Sequence, residues 1–157
     1  HKYIGKLRPL EKDRHRQWTQ NLILDMILEY KLLAMEKKKI LYEIKTDMIG
    51  EIALADKELC ILLGNLLDNA IEACEKLASK ENKFIRVYIG VFKKQFYMSV
   101  SNSTDQKKRT KKYLSMKGEG HGFGLQRIDK IIHDKNGYLN RQNEPGVFAT
   151  EIMLPYI

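Results

Sequence analysis

The chain has 157 residues, enough to bury one core and few enough that a single folding unit with a short appendage is the expected organisation. Hydrophobic residues make up 43% and charged residues 31%, the balance of an ordinary folded domain, and no apolar run approaches the ~20 residues that a membrane-spanning helix needs. The formal charge of +8 gathers in two clusters, residues 2–16 and 107–117, with no zinc-ligand spacing, stacking aromatics or reading helix beside them, so nucleic acid is not an expected partner.

Residues 1–18 are charged and helix-permissive, with Pro9 set to kink them and few apolar side chains for a core of their own. They read as the end of something longer, and an opening His1 in place of Met fits a chain that continues upstream. Thr19 is the expected N-cap of a helix whose apolar face would be Leu22, Ile23, Met26, Ile27, Tyr30 and Leu33, closed by the cations Lys37 to Lys39 at its C-terminal dipole. Ile40, Tyr42 and Ile44 alternate as a short strand, and residues 46–55 read as a loop.

Asp56 is the expected cap of a second helix reaching about Ser79, with Leu59, Leu63, Leu66, Ala70, Cys74 and Leu77 on its buried face. Cys60 and Cys74 both fall in it; a rise of ~1.5 Å per residue puts them about 20 Å apart, too far for a disulfide, and both are expected as small buried apolar residues. Residues 84–92 and 96–101 read as two strands of an antiparallel hairpin turned at Lys93 and Lys94. Residues 102–117 are polar, lysine-rich and without apolar period, the composition of a functional lid. Glycines 118, 120, 122 and 124 lead into a helix over residues 123–133, with His133 a cation at its end. Asn136-Gly137 then turns the chain towards strands at residues 138–141 and 147–154, joined at Pro145-Gly146. This order gives an α+β two-layer sandwich, a mixed sheet covered on one face by helices.

Two motifs carry chemistry. In Gly64-Asn65-Leu66-Leu67-Asp68-Asn69-Ala70-Ile71-Glu72-Ala73, the polar residues Asn65, Asp68, Asn69 and Glu72 share one helix face. Carboxamide oxygens one turn apart suit a hydrated Mg²⁺ and its phosphates, because Mg²⁺ keeps several waters and takes few protein oxygens. In Gly118-Glu119-Gly120-His121-Gly122-Phe123-Gly124-Leu125, glycines let backbone N–H groups approach phosphate and the following helix adds partial positive charge. A dinucleotide-binding fold is disfavoured, since these glycines follow a long basic loop and not a strand.

Together the motifs resemble the N box and G2 box of the GHKL ATP-binding superfamily, with its Bergerat fold, and more narrowly the sensor histidine kinases of the peptide quorum-sensing, accessory gene regulator type. The resemblance spans residues 19–154. It implies an ATP-binding catalytic domain over residues 19–157, preceded at 1–18 by the end of a dimerisation and phosphoacceptor helical region. It implies ATP and Mg²⁺ as cofactors, with Asn65 and Asn69 facing the phosphates and Asn69, joined by Asn65, holding the metal. Gly118, Gly120, Gly122 and Gly124 would cradle the triphosphate with Phe123 and Leu125, and Lys117 and His121 would grip the γ-phosphate.

In the gyrase and chaperone branches the residue matching Asn65 is a glutamate that activates water; an amide cannot serve as that base, which favours transfer to a protein acceptor over hydrolysis. Most relatives carry an adenine-reading Asp where this chain has Asn102, whose neutral amide is a weaker acceptor. The resemblance further implies a response regulator as partner, homodimerisation through the upstream helical region, and a cytoplasmic placement below a membrane-anchored sensor. Neither His15, flanked by arginines, nor His1 fits the acceptor histidine, so the expectation is Mg-ATP binding without autophosphorylation. The alternative reading is a GHKL nucleotide-binding interaction module without kinase activity.

Overall fold

A computed structural model describes residues 18–49, 51–78, 82–105 and 119–155, with the backbone alone for 119–123. Eight elements follow in order: α1 (Leu22–Lys37), β1 (Leu41–Thr46), α2 (Asp56–Glu75), β2 (Phe84–Phe92), β3 (Gln95–Ser103), α3 (Glu119–Asp134), β4 (Tyr138–Glu144) and β5 (Val147–Pro155). The strands form one sheet in the order β1-β2-β3-β5-β4. β1 and β2 run parallel, as a crossover through α2 requires, and the remaining pairs are antiparallel. The expected α+β sandwich with a mixed sheet is the observed fold. Residues 1–17, with His1 and His15, and residues 106–118, which hold most of the expected lid (102–117), lie outside the described residues.

α2 is the middle helix, packed on β3 and β2 with α1 and α3 on its flanks; α1 also meets β1, and α3 meets β4. Its expected apolar face is the buried one: Leu59, Leu63, Leu66, Ala70 and Cys74 all point inward, joined by Leu62, Leu67 and Ile71, and Leu77 is buried just beyond the helix end. The opposing sheet face follows from register. Ile85, Asn102, Phe148 and Asn143 form one row across β2, β3, β5 and β4; Val87, Val100, Thr150 and Arg141 form the next; Ile89, Met98, Ile152 and Leu139 the third. Most of these side chains are buried against the helices.

Several local expectations need correction. α2 stops at Glu75, short of Ser79, and Asp56 stands inside its first turn; the N-cap is Ala55, whose N–H donates to Glu58 Oε1 at 2.9 Å. α1 is capped by Asn21, whose side-chain oxygen accepts from Leu24 N at 3.1 Å. Thr19, the expected cap, is fully buried two residues earlier; its N–H and hydroxyl both donate to Asp25 Oδ1, at 3.0 and 2.8 Å, and Trp18 N–H donates to Asp25 Oδ2 at 3.2 Å. The strap is held from the other side too: Thr46 Oγ1 donates to Trp18 O at 2.6 Å and Ile49 N–H to Thr19 O at 2.8 Å.

This anchoring rotates α1 away from the expected face. Leu24, Leu28, Leu32 and Met35 are buried, while Leu22 (71% exposed), Met26, Tyr30 and Leu33 lie open. Cys60 is exposed on α2, against expectation, and Cys74 is buried, where burial pushes its thiol up and leaves it an apolar side chain.

The turns follow the local chemistry. Lys93 and Lys94 both take left-handed backbone (φ +53° and +64°), the geometry of a two-residue turn whose twist matches the β2–β3 hairpin. Lys39 and Asn136, also at positive φ, end α1 and α3 alike: Ile40 N–H reaches Met35 O and Gly137 N–H reaches Ile132 O, closing each helix with a six-residue loop. On the outer sheet face, Tyr97 donates to Glu151 Oε2 at 2.7 Å and its ring lies 5.7 Å from that of Tyr88. Partial burial, and then the Glu151 carboxylate, hold the Tyr97 hydroxyl up to about 12.

Candidate functional site

The two motifs meet across the interface between α2 and α3. Asn65 lies on the α2 flank that meets α3, and its Oδ1 would stand 3.1 Å from a Cβ built on Gly124, with its Cγ at 3.4 Å. A side chain at position 124 would press on the carboxamide, so glycine here is a requirement of close approach. Asn69 follows Asn65 by one turn on the same face of α2.

Asp68 leaves that face. It leans towards α1 and pairs with Lys31 Nζ at 2.5 Å, a half-exposed pair of modest energetic weight that ties α1 to α2.

The glycine motif differs from expectation in secondary structure. α3 begins at Glu119, so Gly120, Gly122 and Gly124 lie within its first turns and not in a turn ahead of it. Glycine weakens a helix without forbidding it, at about 1 kcal/mol per residue against alanine. Leu125 follows half-buried on the same helix. Lys117 and Gly118 fall outside the described residues, as do the side chains of His121 and Phe123.

Asn102 ends the inner face of β3, 3% exposed, in the row with Ile85 and Phe148. Its Nδ2 donates to Ser103 O at 2.9 Å, which sets the direction of the amide. Ser103 is held in turn: Phe84 N–H donates to its Oγ at 3.0 Å, and Cys74 Sγ lies 3.6 Å from the same oxygen.

A groove of about 1060 Å³ runs between α1 and α2 and opens onto Asn65 and Gly64. Ile23, Met26 and Ile27 of α1 face Ile61 of α2 across it, and Lys31, Lys57 and Arg127 bring three cations to its rim. The sequence had no signal for this groove, because it depends on the rotation of α1.

Among the described residues no group of three His, Cys, Asp or Glu is placed to hold a metal ion. The donor set that exists, neutral carboxamides beside a side-chain-free glycine, suits a hydrated Mg²⁺ that arrives with phosphate oxygens better than a bare ion.

The profile of the GHKL domain family matches residues 54–155, well over half of the chain. The chain belongs to the GHKL family. Solved structures agree on the fold of this GHKL domain. The nucleotide-free catalytic domain of histidine kinase ThkA superposes with a TM-score of 0.68 at 22% identity, covering 87% of this chain and 91% of that one. The Acinetobacter baumannii histidine kinase AdeS gives 0.66 at 14% identity, over 96% of this chain and 75% of that one. Full-length ShkA in complex with AMPPNP gives 0.67 at 16% identity, over 85% of this chain and 29% of that one. No curated protein matches the sequence. The GHKL fold therefore accounts for the mixed sheet under helices, and no helix among the described residues is long and apolar enough to cross a membrane.

Proposed function

We propose that this GHKL domain binds Mg-ATP and serves as the catalytic part of a two-component sensor histidine kinase, passing the γ-phosphate to a histidine on an upstream helical region and from there to a response-regulator aspartate. The observation that carries the reading is the close approach of Asn65 to Gly124, which joins the carboxamide helix to the glycine-rich start of α3. Asn65 and Asn69 would hold the magnesium triphosphate, Gly120, Gly122 and Gly124 would let it approach the α3 backbone, and Asn102 would accept from the adenine amino group. Bound Mg²⁺ would neutralise charge on the phosphates.

Phosphoryl transfer needs little covalent help; placing acceptor and γ-phosphate in line and stabilising charge supply most of the rate. Asn65 orients without abstracting a proton, so a bound triphosphate is kept for an acceptor and not spent on water. We assign residues 1–18 to the end of the dimerisation and phosphoacceptor region, residues 19–157 to the ATP-binding domain, and the parent to membrane-anchored sensors of the peptide quorum-sensing type with this domain in the cytoplasm.

Calorimetric titration with Mg-ATP tests the reading. The parent chain should bind, and Asn69→Ala should lose at least about tenfold in affinity, one good polar contact's worth. With labelled ATP, an acceptor-bearing helical domain supplied in trans should become labelled while the chain alone stays dark. Label on the chain itself that disappears in His15→Ala would overturn the acceptor assignment, and binding without transfer in trans would leave a nucleotide-responsive interaction module.

A further inference from the structure

α2 carries a glycine in mid-helix that its own packing does not ask for. A Cβ added at Gly64 would meet no atom within 4 Å, although glycine weakens a helix interior relative to alanine. This bare turn lines the groove between α1 and α2, which reaches across α2 to Arg127 of α3. Ile23, Ile27 and Ile61 make the groove apolar, and the apolar surface runs on over Met26 (58% exposed) and Tyr30 (71% exposed) along the crest of α1. The rim has one sign of charge. Asp68, the one acid among the lining residues, is spent on Lys31, which leaves Lys57 and Arg127, both exposed and without an ion-pair partner among the described residues.

The walls have the length of a short helix. From Lys57 to Asp68 on α2, and from Leu22 to Leu33 on α1, a rise of ~1.5 Å per residue gives about 16 Å, three turns of a partner helix. A helix lying there would cover the groove and the α1 crest together, whereas a small molecule seated in the groove would leave the crest bare. Charge disfavours two occupants from the chain itself. Residues 1–17 carry six Lys and Arg against two acids, and a second copy brings the same cations on a chain of formal charge +8.

We propose that the groove between α1 and α2 is a docking site for an amphipathic helix of a separate protein, with its apolar stripe laid along Ile27 and Ile61 and its acidic flank paired with Lys57 and Arg127. Gly64 keeps the floor open to that helix. The occupied groove abuts Asn65, yet the inference does not rest on the ATP-binding reading above.

The probe is a synthetic helical peptide of about 14 residues, with leucines at i, i+3, i+4 and i+7 and glutamates on the flanks, beside one sibling with lysines for the glutamates and one with the leucine order scrambled. Fluorescence anisotropy gives affinity, and thiol labelling gives place, since Cys60 lines the groove and is exposed while Cys74 is buried. The acidic peptide should bind the parent with a Kd of roughly 10 μM or below, at least about tenfold tighter than either sibling, and should slow the labelling of Cys60. Gly64→Gln fills open space and adds helix propensity, so it should melt no lower than the parent and lose at least about fivefold in affinity for the acidic peptide. Lys57→Glu combined with Arg127→Glu, at two exposed positions, should turn the preference round to the lysine peptide.

No binding of the acidic peptide, equal or tighter binding of the lysine peptide by the parent, or undiminished binding by Gly64→Gln overturns the inference. So does a Cys60 thiol that is shielded before any peptide is added: shielding lifted by dilution gives the groove to a second copy, and shielding that survives dilution gives it to residues 1–17.

Discussion

α1 and α2 are both rich in apolar residues, yet only α2 buries the face its spacing points to. α2 alternates a leucine stripe with Asp56, Lys57, Asn65, Asp68, Asn69 and Glu72, so one orientation alone puts apolar atoms inside. α1 carries leucine, isoleucine or methionine on nearly every side, and many rotations would bury a similar area. What settles it is Asp25, whose carboxylate gathers three donors from Trp18 and Thr19 and turns that side of the helix inward. Hydrophobic periodicity fixes a helix only where polar residues mark the outside; elsewhere one buried polar network decides.

The largest expected effect contrasts the two stripes. Leu63→Ala, at a fully buried site of α2, should cost about 3 kcal/mol in urea unfolding, whereas Leu33→Ala on α1, 56% exposed, should stay within about 0.5 kcal/mol. Equal costs would mean that the exposed face of α1 is covered in solution.

Next comes Asp25→Ala, which strips the acceptor from the buried N–H and hydroxyl of Thr19 and the partly buried N–H of Trp18 and should cost about 2 kcal/mol. Trp18 is the sole tryptophan, so its emission should shift to the red in that variant and remain unchanged in Leu33→Ala.

Gly124→Ala probes the polar side of α2. Extra helix propensity in α3 should offset the pressure on Asn65, leaving the melting temperature within a few degrees of the parent, while Mg-ATP affinity falls about tenfold.

The smallest effect lies outside both helices. Tyr97 ionises near 12 in the folded chain against an ordinary value of 10.0, so its contribution to stability is complete below pH 10 and is lost as pH rises towards 12. Tyr97→Phe should remove one tyrosine ionisation near 12 from an absorbance titration and leave Trp18 emission unchanged.

Much of the fold was legible because local chemistry agreed with it. The alternation in residues 84–92, the need for a turn at Lys93-Lys94, and Asn136-Gly137 after a helix each had a single good solution. α1 was legible as a helix and illegible in rotation, since its deciding contacts join Asp25 to residues ahead of its own cap. Asn21 displaced Thr19 as that cap because Thr19 was already committed to Asp25.

The candidate site rests on residue types. Asn65, Asn69 and the glycines could be chosen from spacing and from the family they resemble, and the approach of Asn65 to Gly124 joins those motifs. The extension of α3 through the glycines was hidden, because low helix propensity argues against it and packing can override propensity. The grip of Ser103 on Asn102 could not be read either, since a backbone carbonyl carries no sequence signature.

The strap at Trp18–Thr19 has a mechanical consequence. A chain that entered through a bare loop would swivel, and a twist applied upstream would dissipate at the joint. Here the backbone at Trp18–Thr19 is pinned to the first turns of α1 by one carboxylate and to the β1 end by Thr46 and Ile49, which fixes where the helix that walls the groove beside Asn65 begins.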